Sequence, residues 1–184
     1  MAATESQMVA LGTPAHDFNL LNTVTGKHTK LAELKSDKAT VILFICNHCP
    51  FVHHINSALV KVANAYQPKG VNFIAISSND IENYPADAPE LMTKVAEEEE
   101  YPFPYLYDED QNVARAYGAE CTPDIFVYNS EMKLAYRGRF DETRPNLGTA
   151  TGKDLVKALD AILATGKYNE VQKPSIGCGI KWKN

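Results

Sequence analysis

The sequence predicts an α/β fold in which helices flank a central mixed β-sheet, and three observations lead to this prediction. A continuous run of β-branched and aromatic residues at 40–45 precedes a helical pattern that begins at Pro50, and a second apolar run follows at 71–77. A strand, a helix and a strand joined by short connections form a right-handed unit with parallel strands. Residues 125–128 and 133–136 then predict an antiparallel hairpin, which makes the sheet mixed.

The remaining elements of the first half follow from local patterns. Residues 17–20 and 27–29 predict a short hairpin, and residues 31–34 predict one helical turn at most. From Pro50 onward, apolar side chains recur at helical spacing until Gly70 ends the element. The members of this stripe are Phe51, Val52, Ile55, Leu59, Val62 and Tyr66.

The second half contains shorter elements. Residues 79–89 form a polar loop with two prolines, and residues 90–100 predict a helix whose glutamate-rich end is a solvated face. A short strand is expected at 103–107 and a short helix at 112–117. A last amphipathic helix is expected from Thr151 until a glycine stops it. The tail that follows has no clear periodicity.

Length and composition are those of one soluble globular domain. The chain has 184 residues, of which 45% are hydrophobic and 22% charged, so disordered and low-complexity proteins are excluded. The formal net charge is −5 and no cluster of Lys or Arg appears, so we expect binding to neither nucleic acid nor membranes. We predict a single domain over residues 1–184, with a core at about 38–166 and a C-terminal tail at 167–184.

The expected compartment is the cytoplasm. Residues 1–7 are polar and show no secretory signal, and the longest apolar run, at 41–46, is far shorter than the roughly 20 residues of a membrane span. Four cysteines are too few for a disulfide scaffold. In a reducing compartment such cysteines are typically catalytic, metal-binding or simply buried.

A Cys-Asn-His-Cys motif, from Cys46 to Cys49, lies between the first buried strand and its helix. Together with the order of the elements, this is the layout of a thioredoxin-like fold. We expect Cys46 near the helix N-terminus, where free N–H groups and the helix dipole favour a thiolate, and Cys49 one turn further in. Cys46 would then attack a disulfide, and Cys49 would resolve the mixed disulfide.

His48 lies between the two cysteines. As an imidazolium it would stabilise the Cys46 thiolate and make the pair more oxidising, because stabilising the reduced form raises the potential. The alternative is that His48 only faces solvent.

Metal binding is an alternative to this redox interpretation, but the usual ligand sets are incomplete. Zinc would need a second ligand pair, and all five histidines lie at or before His54. A c-type haem would need a histidine directly after Cys49, where Pro50 stands. Cys49 and His53 are spaced to share a helix face, and thiolates suit Cu(I), but copper-delivery proteins of this fold use a later histidine. We therefore predict neither a metal nor a cofactor.

Thr122 and Pro123 precede the hairpin strand, where thioredoxin-like folds carry a cis-proline loop that packs against the cysteine motif. We predict that they bind substrate, with the backbone before the proline offered as a short strand. The alternative is an ordinary trans bond at a strand start. The same placement brings Cys121 near the Cys46–Cys49 pair, as an accessory thiol or as a small buried residue.

Cys178 is a further candidate accessory thiol. It lies between Gly177 and Gly179, whose backbones are free to bend. Ile176, Ile180 and Trp182 alternate and could form an edge strand with Cys178 on the same face. A third redox thiol and a packed structural residue both remain open.

These motifs resemble the peroxiredoxin-like redoxins of the AhpC/TSA and thioredoxin-like families. The resemblance covers nearly the whole chain and implies a thioredoxin-like fold with an N-terminal extension and a helical insert. The segments that carry it are 46–52 (CNHCPFV), 122–124 (TPD), 136–141 (YRGRFD) with 144–145 (RP), 151–154 (TGKD) and 174–182 (PSIGCGIKW).

The chain also departs from both family patterns. Thioredoxins carry a tryptophan where Ile45 stands and a buried acid on the preceding strand, where residues 40–45 offer none. In peroxiredoxins a threonine occupies the place of Cys46, and an active-site arginine falls near Pro123. Arg137 or Arg139 could supply that arginine, or could simply pair with an acid at a strand end.

The favoured hypothesis is a thiol–disulfide oxidoreductase that uses Cys46 and Cys49, tuned by His48. Its partners would be disulfides of proteins or small molecules, with peroxides as a further candidate, and an external thiol reductant. One alternative is a thiol peroxidase, in which Cys49 or Cys46 becomes a sulfenic acid. The other is a redox-sensing or copper-binding module.

Overall fold

The computed structural model describes residues 3–184, so the first two residues of the polar N-terminal segment lie outside it. The strands are β1 (Ala3–Glu5), β2 (Asn19–Asn22), β3 (Lys27–Lys30), β4 (Ala39–Phe44), β5 (Val71–Ser77), β6 (Tyr105–Tyr107), β7 (Cys121–Thr122), β8 (Asp124–Asn129), β9 (Leu134–Arg137) and β10 (Ile176–Gly179). The α-helices are α1 (Leu31–Leu34), α2 (Pro50–Tyr66), α3 (Pro89–Glu98), α4 (Asn112–Tyr117) and α5 (Lys153–Thr165). A 3₁₀ turn at Pro85–Asp87 precedes α3.

The main sheet has seven strands in the order β3-β2-β6-β5-β4-β8-β9. Strand β5 runs parallel to both β4 and β6, whereas β4 pairs with β8, and β8 with β9, in antiparallel fashion. The sheet is therefore mixed and flanked by helices, which confirms the predicted fold class. Among the helices of residues 3–184, none combines the length and the apolar composition needed to cross a membrane.

The central strand β4 separates two hydrophobic cores, because successive side chains of a strand point to opposite faces. Val41 and Leu43 pack into the core that contains the apolar faces of α2 and α5. Ile42 and Phe44 pack into the second core, with Tyr117 of α4. All six residues of β4 are buried, as the run without alternating polar residues predicts.

The last helix starts later than expected. It begins at Lys153, and the residue before it is Gly152 with a φ of 73°, a left-handed conformation that favours glycine. The carboxylate of Asp141 accepts the N–H groups of Thr151 and Gly152, at 2.7 and 2.8 Å. Asp141 lies earlier in the chain and fixes the segment just before the helix. The sequence around the helix start does not reveal this contact.

A second sheet of three antiparallel strands, in the order β1-β10-β7, was not predicted. Its strands have only two to four residues, too few for a hydrophobic period to emerge. The expectation of an edge strand in the tail is wrong in this respect: β10 is the middle strand, bonded on one side to β1 and on the other to β7.

A buried ion pair of the main sheet also binds residues that flank two strands of the second sheet. Arg137 on β9 and Asp124 on β8 have no solvent exposure, and the guanidinium binds both carboxylate oxygens. Asp124 also accepts the hydroxyl of Ser6, next to β1, at 2.7 Å, and the N–H of Glu120, just before β7, at 3.0 Å. Arg137 additionally lies over the ring of Phe126, 4.0 Å from its centroid.

Replacing Asp124 by Asn should strongly destabilise the protein. The change leaves the buried Arg137 charge without its counterion, and such a loss costs about 3–5 kcal/mol of unfolding free energy. Chemical denaturation of the wild type and the variant measures this cost. The matched control is Asp154→Asn, which breaks the partly exposed pair with Arg139 and should cost less than about 1 kcal/mol. Equal costs for the two variants would contradict the role assigned to Asp124.

Candidate active site

The turn between β4 and α2 places the two cysteines differently from the sequence expectation. Helix α2 begins at Pro50, so Cys49 is its N-cap residue, and the N–H groups of Val52 and His53 donate to the Cys49 carbonyl oxygen at 3.0 Å. Cys46 lies three residues earlier, just beyond the end of β4. The cysteine at the helix N-terminus is therefore Cys49, not Cys46. Proline favours the first helical position, so Pro50 was the signal for this arrangement.

Three thiols meet at this turn, and all are free and buried. The Sγ atom of Cys49 lies 2.8 Å from Cys178 Sγ and 3.1 Å from the Thr122 carbonyl oxygen. The Sγ atom of Cys46 lies 3.5 Å from the Thr122 hydroxyl. The exposed fractions are 2% for Cys46, 0% for Cys49 and 5% for Cys178, so the tail residue is the most exposed of three buried cysteines.

The surroundings of Cys46 and Cys49 shift the pKa values of these two thiols in opposite directions. Hydrogen bonds from the Cys46 thiol, then from Cys178, Thr122 and the Val52 N–H group, lower the pKa of Cys49 to about 4. The bond to Cys49, burial and the nearby Asp87 carboxylate raise the pKa of Cys46. Of the two thiols, Cys49 therefore ionises more readily, and the helix N-terminus also favours negative charge there.

Asp87 is the site residue that sequence reasoning missed. It belongs to the 3₁₀ turn before α3 and has no solvent exposure. Its carboxylate accepts the Asn47 N–H at 2.8 Å, the Asn79 side-chain amide at 2.8 Å and His48 Nδ1 at 2.7 Å. The imidazole of His48 also stacks on Tyr84, with ring centroids 5.5 Å apart. No pattern in the polar loop pointed to Asp87, because its hydrogen-bond partners come from other parts of the chain.

The same network reaches the C-terminal tail. The side-chain carbonyl of Asn79 accepts the Lys181 N–H at 2.9 Å, while its amide holds Asp87. The N–H of Asp80 donates to the Lys181 carbonyl at 2.8 Å, and Ile180 donates to the carbonyl of Glu120 at 3.0 Å. The segment that follows Cys178 is thus fixed to the loop that holds His48.

Donor atoms of Cys46, His48 and Asp87 lie within 4.8 Å of one another, a spacing that could hold a metal ion. The Asp87 oxygens already accept three N–H groups, so this cluster is built as a hydrogen-bond network. His53, the proposed copper ligand, instead binds the carbonyl oxygen of Asn47 through Nε2. His54 Nε2 lies 2.8 Å from the hydroxyl of Thr143. The copper interpretation gains no support from this geometry.

The peptide bond between Thr122 and Pro123 is cis, and Thr122 contacts both cysteines of the motif. The backbone that was expected to bind substrate is occupied here, because β10 pairs with β7 and sets Cys178 opposite Thr122. Binding of substrate by Thr122 and Pro123 stays a prediction.

Cys121 lies apart from the thiol cluster. Its sulfur is 3.6 Å from the Ser6 hydroxyl and 3.7 Å from the Pro123 carbonyl oxygen, and the residue has no solvent exposure. Burial raises the pKa of this thiol well above its ordinary value. These surroundings are those of a packing residue.

Neither candidate arginine faces the thiols. Arg137 is bound to Asp124, and Arg139 donates through Nε to Asp154 at 2.6 Å. The ion-pair interpretation of these two residues is therefore confirmed.

One family model and several solved structures match this chain. The family model described as the AhpC/TSA family matches residues 11–137. A search of the curated proteins gave no match. The solved structure of an uncharacterized conserved protein from Geobacillus kaustophilus is 57% identical, covers 100% of this chain and 97% of its own, and has a TM-score of 0.96. For a hypothetical protein from Sinorhizobium meliloti 1021 the identity is 45%, the coverage 98% of both chains and the TM-score 0.94.

A more distant match confirms the fold. The thioredoxin domain of a thiol-disulfide oxidoreductase from Bacteroides vulgatus is 19% identical, with a TM-score of 0.63 over 83% of this chain and 99% of that one. At this identity the likeness concerns the fold alone, and it establishes the thioredoxin-like architecture that the element order predicted.

The reduced protein should carry one thiolate at neutral pH, on Cys49. Its ultraviolet absorbance should disappear as the pH falls through about 4. Cys46→Ala should raise the pKa of Cys49 by about one unit or more, because the strongest hydrogen bond to the thiolate is lost. Absorbance titrations of the wild type, Cys46→Ala and Cys49→Ala test this. A low-pKa thiolate that survives in Cys49→Ala would assign it to Cys46 instead.

His48→Phe should make the motif more reducing. The variant keeps a ring against Tyr84 but removes the nitrogens that lie within 4.8 Å of the Cys46 donor atom. Without its partner His48, the Asp87 carboxylate should disfavour a thiolate in the motif more strongly, which should lower the reduction potential by on the order of 30 mV. Equilibration with glutathione redox buffers measures it. An unchanged potential would mean that His48 only packs against Tyr84 and Asp87.

Proposed function

Because the chain belongs to the AhpC/TSA family of thiol redox proteins, we propose that it is a thiol–disulfide oxidoreductase in which Cys49 and Cys46 cycle between a dithiol and a disulfide. One observation carries the proposal: Cys49 lies at the N-cap of α2 in contact with two further thiols, and these surroundings lower its pKa. A thiolate beside a second thiol is the arrangement that thiol–disulfide exchange requires.

The exchange runs in two steps. The Cys49 thiolate attacks one sulfur of a substrate disulfide, the substrate S–S bond breaks, and one substrate thiolate leaves with the bonding electron pair. Cys46 then gives its proton to a departing thiolate and attacks Cys49 Sγ, which releases the second substrate thiol and forms the Cys46–Cys49 disulfide. An external thiol reductant restores the dithiol. This order of attack is the reverse of the one that the sequence suggested.

The surrounding residues take supporting roles in this proposal. His48, held by Asp87, sets the charge beside Cys46 and thereby tunes the potential. Thr122 and Pro123 position the sulfur that reacts with Cys49, since Thr122 contacts both cysteines of the motif. The substrate classes are disulfides of proteins or small molecules.

Peroxide reduction is the second candidate, and the low-pKa Cys49 at a helix N-cap favours it. In that reaction the thiolate attacks the O–O bond, and the sulfenic acid formed on Cys49 condenses with a neighbouring thiol and releases water. The partners of Arg137 and Arg139 weigh against it, because both guanidinium groups are bound to carboxylates. A guanidinium beside the thiolate is needed to stabilise the charge that develops on the leaving oxygen.

We expect the reduced protein to reduce a small aromatic disulfide, measured by release of its coloured thiolate, and to consume hydrogen peroxide slowly. Cys49→Ala should lower the disulfide rate by about 100-fold or more, because the attacking group is removed. The matched control is Cys121→Ala, which deletes an equally buried thiol and should keep the wild-type rate. Fast, saturable peroxide turnover together with negligible disulfide reduction would reverse the ranking of the two functions.

A further inference from the structure

The tail strand β10 lies where a substrate strand is expected. In its register with β7, Cys178 is opposite Thr122 and Gly179 is opposite Cys121. This is the backbone edge next to Pro123 that an extended substrate would use. Strand β10 therefore occupies the backbone edge at which a substrate was expected to bind, and this strand carries Cys178.

The glycine before Cys178 makes this approach possible. A Cβ atom on Gly177 would lie 2.0 Å from the Thr122 carbonyl oxygen, far inside van der Waals contact. Gly177 and Gly179 are not among the residues with positive φ, so the expectation that they allow a bend is wrong. Gly177 is needed because the tail backbone lies directly against Thr122.

The sulfur atoms are close to bonding distance. Cys49 Sγ and Cys178 Sγ are 2.8 Å apart, whereas a disulfide bond is about 2.05 Å long, so the pair can bond with a shift of less than about 1 Å. The tail is held on both sides, by β1 and by β7, and beyond Cys178 by Asn79 and Asp80. No rearrangement of these anchors is required for the bond to form.

We propose that Cys178 is the entry sulfur of a three-thiol relay, and that low-molecular-weight thiols and disulfides are the partners that react with it. The proposal rests on the exchange activity of Cys46 and Cys49 proposed above. It bears on access, since Cys49 has no exposure and Cys178, at 5%, is the most exposed of the three residues. An extended peptide would have to displace β10 from Thr122, whereas a small thiol needs only to reach Cys178.

The relay needs no further oxidant, because each step exchanges one disulfide bond for another. The Cys178 thiol passes its proton to Cys46 and attacks Cys49 Sγ of the Cys46–Cys49 disulfide, which breaks that bond and forms the Cys49–Cys178 disulfide. An external thiolate then attacks Cys178 Sγ, and Cys49 leaves as a thiolate. A second external thiolate attacks the sulfur of the first, which frees Cys178 and releases an oxidised small-molecule disulfide. The first step leaves its proton on Cys46, and the second releases Cys49, whose pKa of about 4 makes it a good leaving group.

The test runs the relay in reverse in the reduced full chain, with oxidised glutathione as the probe. Cys178 attacks the glutathione disulfide and one glutathione thiolate leaves, and Cys49 then attacks Cys178 Sγ and releases the second. The products are mapped by mass spectrometry after an acid quench. In Cys46→Ala we expect a Cys49–Cys178 disulfide with no glutathione retained. In Cys178→Ala we expect the oxidation of Cys49 to be about 10-fold slower or more, because the direct route to this sulfur is covered. Cys121→Ala should react at the wild-type rate.

Two further outcomes separate the relay from the proposed function. If Cys178→Ala forms the Cys46–Cys49 disulfide at the wild-type rate, the function stands and the relay is overturned. If folded wild-type protein forms no disulfide among Cys46, Cys49 and Cys178, the proposed function itself has failed.

A glycine pair supplies an independent measurement that leaves both Cys49 and Cys178 in place. In the Cys46→Ala background, Gly177→Ala should lower the yield of the Cys49–Cys178 disulfide several-fold, because the new methyl group collides with the Thr122 backbone. Gly179→Ala should leave the yield unchanged, because its methyl group meets only the Thr4 hydroxyl, at 3.0 Å, which can rotate away. Equal yields in the two variants would show that contact with Thr122 does not position Cys178.

Discussion

The buried carboxylate of Asp124 is the interaction on which the arrangement of the site depends. It follows Pro123 directly and binds groups from three parts of the chain: Arg137 on β9, Ser6 beside β1 and the backbone before β7. One charge therefore fixes the small sheet on the large one, and with it the position of Thr122 against the cysteines. Removing such a charge from water is costly, and the full set of partners offsets that cost.

The two cysteines of the motif lie in opposite electrostatic environments. Cys49 lies at the positive end of α2, and Cys46 lies beside the carboxylate of Asp87, which also holds His48. The helix and the acid both push the negative charge toward Cys49. The same acid is connected through Asn79 to the tail, so the groups that set the thiol charges and the strand that covers them belong to one network.

Sequence patterns predicted the elements that carry a strong period or a long apolar run, such as the buried strand before the motif and helix α2. They missed the small sheet because β1, β7 and β10 are too short to show a period. The cysteines were found from their spacing, and the helix start at Pro50 was predicted, but the residue at the helix N-terminus is Cys49 and not Cys46. Asp87 could not be found, since its importance comes from partners that only the fold brings together.

The strand that closes the site lies far downstream of the motif that it covers. Residues 176–179 therefore leave the ribosome long after the motif at 46–49 has emerged. During translation the reactive thiols are therefore uncovered, and the small sheet forms only once the N-terminal strand β1 and the C-terminal strand β10 can pair. Protection of the thiols is thereby coupled to the synthesis of β10, so a chain truncated before residue 176 would expose its dithiol to any oxidant in its surroundings.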